Sequence, residues 1–280
     1  MRKMDTILFC TSFIPSSRHP TAVDGIERWR KWIDYYSKRM ELFGADRLIV
    51  IDDGSPMENL QLPVAVVSAD GILPSDLPAG VVLFRFDEHL GRSSMYRFPG
   101  WWRSFSFAAE LSRAYGFRKF IHIESDAYVI SQRLVHYIRN CDQGWTSFVQ
   151  AHFRTRLARL LYPRDPQLGF WASARMKSAY LLNPAPLAEP ALQVICEDCF
   201  TLLERIWRLG PEYWRSELAA ERDLPFSHLE RRFIGDRYGE MGLSDYPTDV
   251  DFVSQSRVEW AFENRLTPDP TAPSGIYKAL

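Results

Sequence analysis

Cysteine is scarce in this 280-residue chain, which contains only Cys10, Cys141, Cys196 and Cys199. Four cysteines in a chain of this length do not form the kind of disulfide framework that holds small secreted domains together. Cys196 and Cys199 form a C-x-x-C pair, but no second pair lies nearby to complete a four-thiolate zinc site. Because Cys199 also fits the apolar face of a predicted helix, buried structural thiols are favoured over a redox motif.

The chain also lacks an excess of charge of one sign and a long apolar run. It has 34 Lys and Arg against 35 Asp and Glu, and a general nucleic-acid binder would have a basic surplus, so no nucleic-acid partner is expected. The short apolar run near the start is broken by Thr11, Ser12 and Pro15 and has no small-residue cleavage site, which argues against a signal peptide. No apolar stretch approaches the length of a membrane span. The expected location is cytoplasmic.

Several catalytic and phosphate-binding motifs are missing. The sequence has no G-x-G-x-x-G, Walker A, G-x-S-x-G or H-E-x-x-H pattern. Dinucleotide oxidoreductases, P-loop kinases, α/β-hydrolases and zinc proteases therefore lose their main support. A glycoside hydrolase needs two carboxylates, but it does not need acids at successive parallel strand ends, so it ranks low.

What is present is a globular composition, with 46% hydrophobic and 25% charged residues. In the first half, short apolar runs alternate with amphipathic segments. The runs predict strands over about 6–14, 46–52, 63–68, 81–86 and 118–124, and the amphipathic segments predict helices over about 24–43 and 102–116. This alternation predicts an α/β domain with a largely parallel sheet.

The second half gives fewer signals. Residues 145–153 and 168–174 are strand-like, and residues 191–209 have a helical apolar pattern that ends at Gly210. No element is predicted with clear bounds after about residue 216. The simplest organisation is a single domain over 1–280, with a core of about 5–210 and a C-terminal extension of about 211–280.

Two acidic clusters follow predicted strands at their carboxyl ends. Asp52 and Asp53 lie in LIVIDDGSP, and Glu124 and Asp126 lie in FIHIESDAYV. Ligands of open α/β sheets bind beyond the carboxyl ends of the strands, and paired carboxylates suit Mg²⁺ or Mn²⁺. Two structural alternatives stay open, namely an Asp-Gly turn that satisfies its own backbone and a solvated acidic turn that caps a helix.

Taken together, these segments resemble the GT-A-fold glycosyltransferases, which transfer sugar from a nucleotide-sugar donor. IDDGSP resembles the strand-end motif that contacts the nucleoside, and HIESDAYV resembles the DxD motif, with Glu124 in the first acidic place. The stretch that includes HLGRSS and WWRSFSFAAEL resembles the segment before the DxD strand. The resemblance implies a GT-A-like (Rossmann-like), mostly parallel sheet flanked by helices. The donor-binding residues that it implies are Thr11, Asp52, Asp53, Arg92, Arg103, Glu124, Ser125 and Asp126.

The same resemblance implies a base and a metal site. ICEDCFTLLER resembles the acidic motif that carries the base of inverting members, so Asp198 is the expected base and Glu197 the second choice. Mn²⁺ or Mg²⁺ would be held by Glu124 and Asp126, with His228 as a third ligand. His122, inside an apolar strand, is expected in the core, and His89 could face the donor diphosphate.

The expected activity is a metal-dependent, inverting, hexosyltransferase-type transfer from a UDP- or GDP-sugar to a saccharide or lipid-linked glycan precursor, as in polysaccharide biosynthesis. The basic segment 152–164 could contact the inner face of a membrane peripherally, although a surface helix packed through its leucines is favoured. Two alternatives remain. A nucleotidyltransferase usually carries a glycine-rich loop after the first strand, which is absent, and a non-catalytic scaffold of the same fold would tolerate Glu124 in the metal motif.

Overall fold

The computed structural model describes residues 5–16, 22–56, 58, 63–93, 97–151, 191–216, 219, 224–237 and 251–254. The strands are β1 (Thr6–Ser12), β2 (Arg47–Asp52), β3 (Ala65–Ser68), β4 (Val82–Arg85), β5 (Lys119–Ile123), β6 (Tyr128–Val129), β7 (Trp145–Ala151), β8 (Leu192–Cys196), β9 (His228–Arg237) and β10 (Phe252–Ser254). The helices are α1 (Ala22–Ser37), α2 (Met40–Phe43), α3 (Pro99–Ser106), α4 (Ala108–Tyr115), α5 (Gln132–Asn140) and α6 (Phe200–Arg215), and a single 3₁₀ turn (Glu197–Cys199) precedes α6.

The ten strands in the described ranges belong to one sheet, in the order β3-β4-β2-β1-β5-β8-β7-β9-β10-β6. The first five of these strands are mutually parallel. β8 runs antiparallel to both β5 and β7, and β6 runs antiparallel to β10. The predicted fold class is therefore confirmed as an α/β domain whose sheet is mostly parallel and flanked by helices.

The central strand β1 is buried on both faces because its side chains alternate between two hydrophobic layers. Leu8 packs with Trp29 and Tyr36 of α1 on one face, and Phe9 packs with Phe105 of α3 on the other. This alternation is the period of two that a strand imposes. One layer of helices thus covers each face of the sheet.

The amphipathic segment 24–43 forms two helices rather than one. α1 ends at Ser37, and the short α2 is closed by Gly44 in the left-handed conformation, at a φ of 68°. The predicted end at Gly44 is correct because a glycine takes this conformation without a Cβ penalty. Gly116 closes α4 in the same way, with a φ of 72°.

Two predictions in the second half need correction. Residues 192–196 form β8, a strand buried at every position, and not the start of a helix. A short continuous apolar run has no period that distinguishes a buried strand from a buried helix. β9 and β10, which fall in the range predicted as an extension, belong to the central sheet. The predicted segments 152–164 and 168–174 lie outside the described residues.

The predicted helix end at Gly210 is correct for the backbone, because Gly210 is non-helical, with a φ of 67° and a ψ of −162°, and a second helical segment of α6 follows this kink to Arg215. Among the described residues, no helix is both long enough and apolar enough to cross a membrane.

Candidate functional site at the carboxyl ends of the parallel strands

The two acidic clusters meet at one edge of the sheet, on either side of β1. Ser12, at the end of β1, is in register with Asp52 at the end of β2, and its carbonyl accepts a hydrogen bond of 2.9 Å from the Asp53 amide. On the other side, the Thr11 hydroxyl lies 3.4 Å from Glu124 Oε2 and donates to it. We call this place the carboxyl-edge site, which is lined by Thr11, Arg28, Trp101, Glu124 and Asp126 and supported by the buried pair of Asp53 and Arg103.

Asp52 belongs to a turn and not to the site surface. It is fully buried, and its carboxylate accepts hydrogen bonds from the amide of Ser55, at 2.6 Å, and from the Ser55 hydroxyl. This is the Asp-Gly turn in which the aspartate accepts hydrogen bonds from its own turn, the alternative to a role in ligand binding. The expected contact between Asp52 and a nucleoside is not compatible with this burial.

The buried carboxyl of Asp52 should make the stability of the protein depend on pH. Burial raises its pKa from 3.8 to about 6, against the opposing effect of the Ser55 hydrogen bonds. The pKa of Asp52 is higher in the folded than in the unfolded protein. Its protonated carboxyl therefore contributes fully to stability below about pH 4, and this contribution is lost as the pH rises through about 6. Relative to Asp52→Asn, the wild type should lose on the order of 2 kcal/mol of unfolding free energy over that interval.

Urea denaturation of both proteins between about pH 4 and about pH 7 measures this difference. Asp34→Asn is the control, because Asp34 lies on the surface of α1 and pairs with Lys38. Equal pH dependence in the wild type and Asp52→Asn would contradict the prediction.

Asp53 is also buried, but it forms an ion pair with a partner from another element. Its carboxylate pairs with the guanidinium of Arg103 on α3, and its Oδ2 accepts a hydrogen bond of 2.8 Å from the Gly91 amide. Arg103 also donates to the carbonyl of Glu88 and lies 4.0 Å from the centre of the Phe86 ring. The pair therefore fastens the loop of residues 88–91 to the start of α3.

The packing around Asp53 explains a glycine at the start of α3. A Cβ at Gly100 would lie 1.9 Å from Asp53 Oδ2, so no larger residue fits there without a shift. His89 Nδ1 lies 2.9 Å from the same carboxylate oxygen, and its ring stacks on Phe13 with centroids 3.5 Å apart. Asp53 and Arg103 thus hold the neighbouring loop in place, and their buried side chains do not line the site.

Arg92, the second arginine predicted to bind the donor, is exposed, and its guanidinium lies 4.8 Å from the centre of the Phe98 ring.

Glu124 is held in place by donors from two other elements. Trp101 on α3 donates its indole N–H to Glu124 Oε1 at 2.5 Å, opposite the Thr11 hydroxyl. The Trp101 ring itself stacks on Phe105, with centroids 4.6 Å apart. The fully buried His122 has its Nε2 3.7 Å from Glu124 Oε1, which confirms its predicted place in the core.

Asp126 lies in the same turn and is open to solvent, with 26% of its side chain exposed. Arg28 on α1 faces it, with Nη1 4.0 Å from Asp126 Oδ2. Ser125, between the two acids, is buried. Neither Trp101 nor Arg28 could be identified from the sequence, since each is one of two residues of its type on its helix and only packing brings it here.

The structure does not bring the predicted base to this edge. β8 pairs with β5 in the antiparallel sense, with Cys196 opposite Lys119, the first residue of β5. Glu197 and Asp198 therefore follow β8 at the edge where β5 begins, about 17 Å of strand away from Glu124. Glu197 pairs with Arg118 at 2.6 Å, and Asp198 accepts the Gly144 amide at 2.9 Å. Assigning either residue as the base of the carboxyl-edge site is incompatible with this topology.

His228, the predicted third metal ligand, lies at the same opposite edge. It is in register with Thr146 near the start of β7, and its Nε2 is 3.4 Å from Glu230 Oε2. Glu230 also pairs with Arg232, and although its burial acts to raise its pKa, the hydrogen bonds from Arg232 and His228 lower the pKa to about 2. His228 is thus part of a local charge network and is not near Asp126.

The described residues contain no group of three or more His, Cys, Asp or Glu side chains that could hold a metal ion. The carboxyl-edge site offers two carboxylates, Glu124 and Asp126. A magnesium ion commonly uses one or two carboxylates and completes its shell with water and substrate phosphates. The donor set therefore fits a divalent ion that arrives with a diphosphate, and does not form a complete protein cage.

No protein-family model and no curated protein matches this chain. Among solved structures, it aligns with a glycosyltransferase involved in the glycosylation of the major capsid of PBCV-1, at 11% identity and a TM-score of 0.45, over 92% of this chain and 97% of that one. It also aligns with a protein assigned as a glucose-1-phosphate thymidylyltransferase from Bacillus anthracis, in complex with a sucrose, at 10% identity and a TM-score of 0.38, over 76% and 78% of the two chains. At these values, neither similarity decides the activity of this chain.

Proposed function

We propose that the carboxyl-edge site binds a nucleotide-diphosphate sugar and transfers its sugar to a saccharide or glycan-precursor acceptor. The observation that carries this proposal is the position of Asp126. Its carboxylate is open to solvent beside the fixed carboxylate of Glu124, beyond the carboxyl ends of three parallel strands. This is where open α/β sheets bind their ligands.

Each residue of the site has a separate task in this proposal. Thr11 and Trp101 fix the direction of the Glu124 carboxylate. Asp126, with Glu124, would hold Mn²⁺ or Mg²⁺ together with the diphosphate, and the ion, when bound, would neutralise the charge of the leaving group. Arg28 adds a positive charge beside Asp126, where it can bind a phosphate oxygen.

The buried Asp53–Arg103 pair supports the donor site indirectly, through the loop of residues 88–91. We propose a UDP- or GDP-sugar as the donor. The inference of inversion, which depended on Glu197 and Asp198, has no support in this geometry because both residues lie at the opposite edge.

Ligand-induced thermal stabilisation tests donor binding. A nucleotide sugar at about 100 times its dissociation constant should stabilise the fold by roughly 2.7 kcal/mol, which is a shift of about 5–10 °C for a chain of this size. UDP-, GDP-, CDP- and CMP-sugars are compared with and without Mn²⁺. We expect one nucleotide class to stabilise the wild type in a metal-dependent manner.

Asp126→Asn should lose the metal-dependent part of that shift, and Asp34→Asn on the surface of α1 should keep it. Equal shifts in both variants would reject the assignment of Asp126. Absence of any shift would favour a non-catalytic scaffold, and release of free sugar from the donor in the presence of Mn²⁺ would identify an enzyme.

A further inference from the structure

Two cysteines meet at the edge of the sheet opposite the carboxyl-edge site. Cys141 follows the last residue of α5, and Cys196 is the last residue of β8. Cys196 Sγ donates a hydrogen bond to the Cys141 carbonyl at 3.6 Å, so the Cys196 thiol lies against Cys141 although the two residues are 55 positions apart.

One of the two thiols is accessible. Cys141 is partly exposed and lines a cleft of about 840 Å³ with Gly144, Asp198 and His228, whereas Cys196 is buried behind it. A small solute can therefore reach Cys141 first, and the buried Cys196 lies beside Cys141.

The surroundings of Cys141 favour its thiolate form. Lys119 of β5 donates its ammonium to the carbonyls of Ile138 and Arg139, at the negative end of α5, and so offsets the helix dipole beside Cys141. The hydrogen bond from Cys196 and the charge of Lys119 lower the pKa of the Cys141 thiol, against its burial. The same hydrogen bond, the burial and the nearby Asp198 raise the pKa of Cys196, which keeps its proton.

The other two cysteines lack this arrangement. Cys10 is buried in the core below the carboxyl-edge site, and burial raises its pKa strongly. Cys199 is buried at the start of α6, where burial and Asp198 also raise its pKa. None of the four belongs to a metal-binding group in the described ranges. An accessible thiolate beside a protonated thiol is the arrangement of a redox-sensitive pair.

We propose that Cys141 is a site of oxidation by hydrogen peroxide and that Cys196 resolves it to an intrachain disulfide. The Cys141 thiolate attacks one peroxide oxygen, the O–O bond breaks, and hydroxide leaves, so that Cys141 becomes a sulfenic acid. The Cys196 sulfur then attacks the Cys141 sulfur, and the sulfenic hydroxyl leaves as water with the Cys196 proton. The two thiols lose two electrons, which reduce the peroxide to water.

The test treats the reduced full-length protein with hydrogen peroxide and maps its peptides by mass spectrometry without reduction. We expect the wild type to lose two hydrogen atoms and to yield a linked Cys141–Cys196 peptide. Cys199→Ser, the matched control, should give the same link, and Cys141→Ser should give none. Cys196→Ser should stop at the sulfenic acid, which dimedone labels at Cys141. A link between other cysteines, or only between chains, would overturn the proposal.

A second measurement needs no variant, since Cys196 is buried and its replacement could prevent folding. Alkylation of the native wild type by iodoacetamide is followed as a function of pH at each cysteine. Cys141 should react first, with a midpoint at least about one pH unit below the usual thiol value of about 8.5. An ordinary midpoint at Cys141, or equal reactivity at Cys199, would overturn the proposal.

Discussion

Replacing Asp126 with asparagine should reduce sugar transfer at least about 100-fold, because neutralisation of the leaving diphosphate is worth several kcal/mol and each 1.4 kcal/mol is tenfold in rate. Asparagine keeps the size of the side chain but removes the negative charge that would hold a divalent ion. The fold should be unaffected, since the Asp126 side chain is partly exposed and its ion pair with Arg28 is long, at 4.0 Å. Initial transfer rates, measured with the donor that stabilises the wild type, give the result.

The matched control is Asp34→Asn, which makes the same chemical change on the surface of α1 and should keep the wild-type rate. Asp198→Asn separates the two edges of the sheet. If transfer were lost in Asp198→Asn and kept in Asp126→Asn, the reaction would take place at the opposite edge, and the carboxyl-edge assignment would be wrong.

Arg103→Met should destabilise the protein by about 3–5 kcal/mol, the usual cost of removing one partner of a buried ion pair. Arg103 and Asp53 are 7% and 6% exposed, so water cannot replace the lost partner. Methionine fills part of the space but leaves the Asp53 carboxylate without its opposite charge. It also removes the contact of the guanidinium with the Phe86 ring. The free energy of unfolding from urea denaturation measures the change.

The control for this prediction is Arg113→Met on α4. Arg113 pairs with Glu110, but 69% of its side chain is exposed, so its removal should change the unfolding free energy little. Similar losses in the two variants would mean that Arg103 contributes no more than a surface arginine. The loop of residues 88–91 would then be held by its other contacts, among them the backbone hydrogen bonds to Asp53 and the hydrogen bond from the Gly100 amide to the Gly91 carbonyl.

Two acids at the same sheet edge, Asp53 and Asp126, have different roles, one in stability and one in activity. Asp53 is buried, so the loss of its partner Arg103 should appear as lost stability, whereas Asp126 is partly exposed, so its loss should appear as lost activity. Measuring stability and transfer for both variants therefore separates support of the site from chemistry in it.

Local patterns in the sequence were sufficient for much of the fold. The alternation of short apolar runs with amphipathic segments predicts the parallel strands β1, β2, β4 and β5, because burial on both faces of a parallel sheet requires apolar runs. The glycines at 44 and 116 predict helix ends, since the left-handed cap is a local property of the backbone. The placement of acids at the ends of β2 and β5 follows from the same local signals.

The roles of those acids were decided only by the tertiary structure. Asp52 and Asp53 are adjacent, yet one closes its own turn with Ser55 and the other pairs with an arginine 50 residues away. Whether a carboxylate faces solvent, a turn or a distant cation depends on what packs against it, and no local pattern encodes that. For the same reason, packing alone identifies Trp101 and Arg28 as parts of the site.

The direction of β8 had the largest consequence for the site. A buried five-residue segment with four apolar residues and Gln193 carries no information on whether the strand joins the sheet in the parallel or antiparallel sense. That sense is set by the strands on either side, and here it places Glu197 and Asp198 at the edge opposite Glu124 and Asp126. The sequence alone thus determined which residues end the strands, whereas the pairing of the strands decided which of those ends lie together.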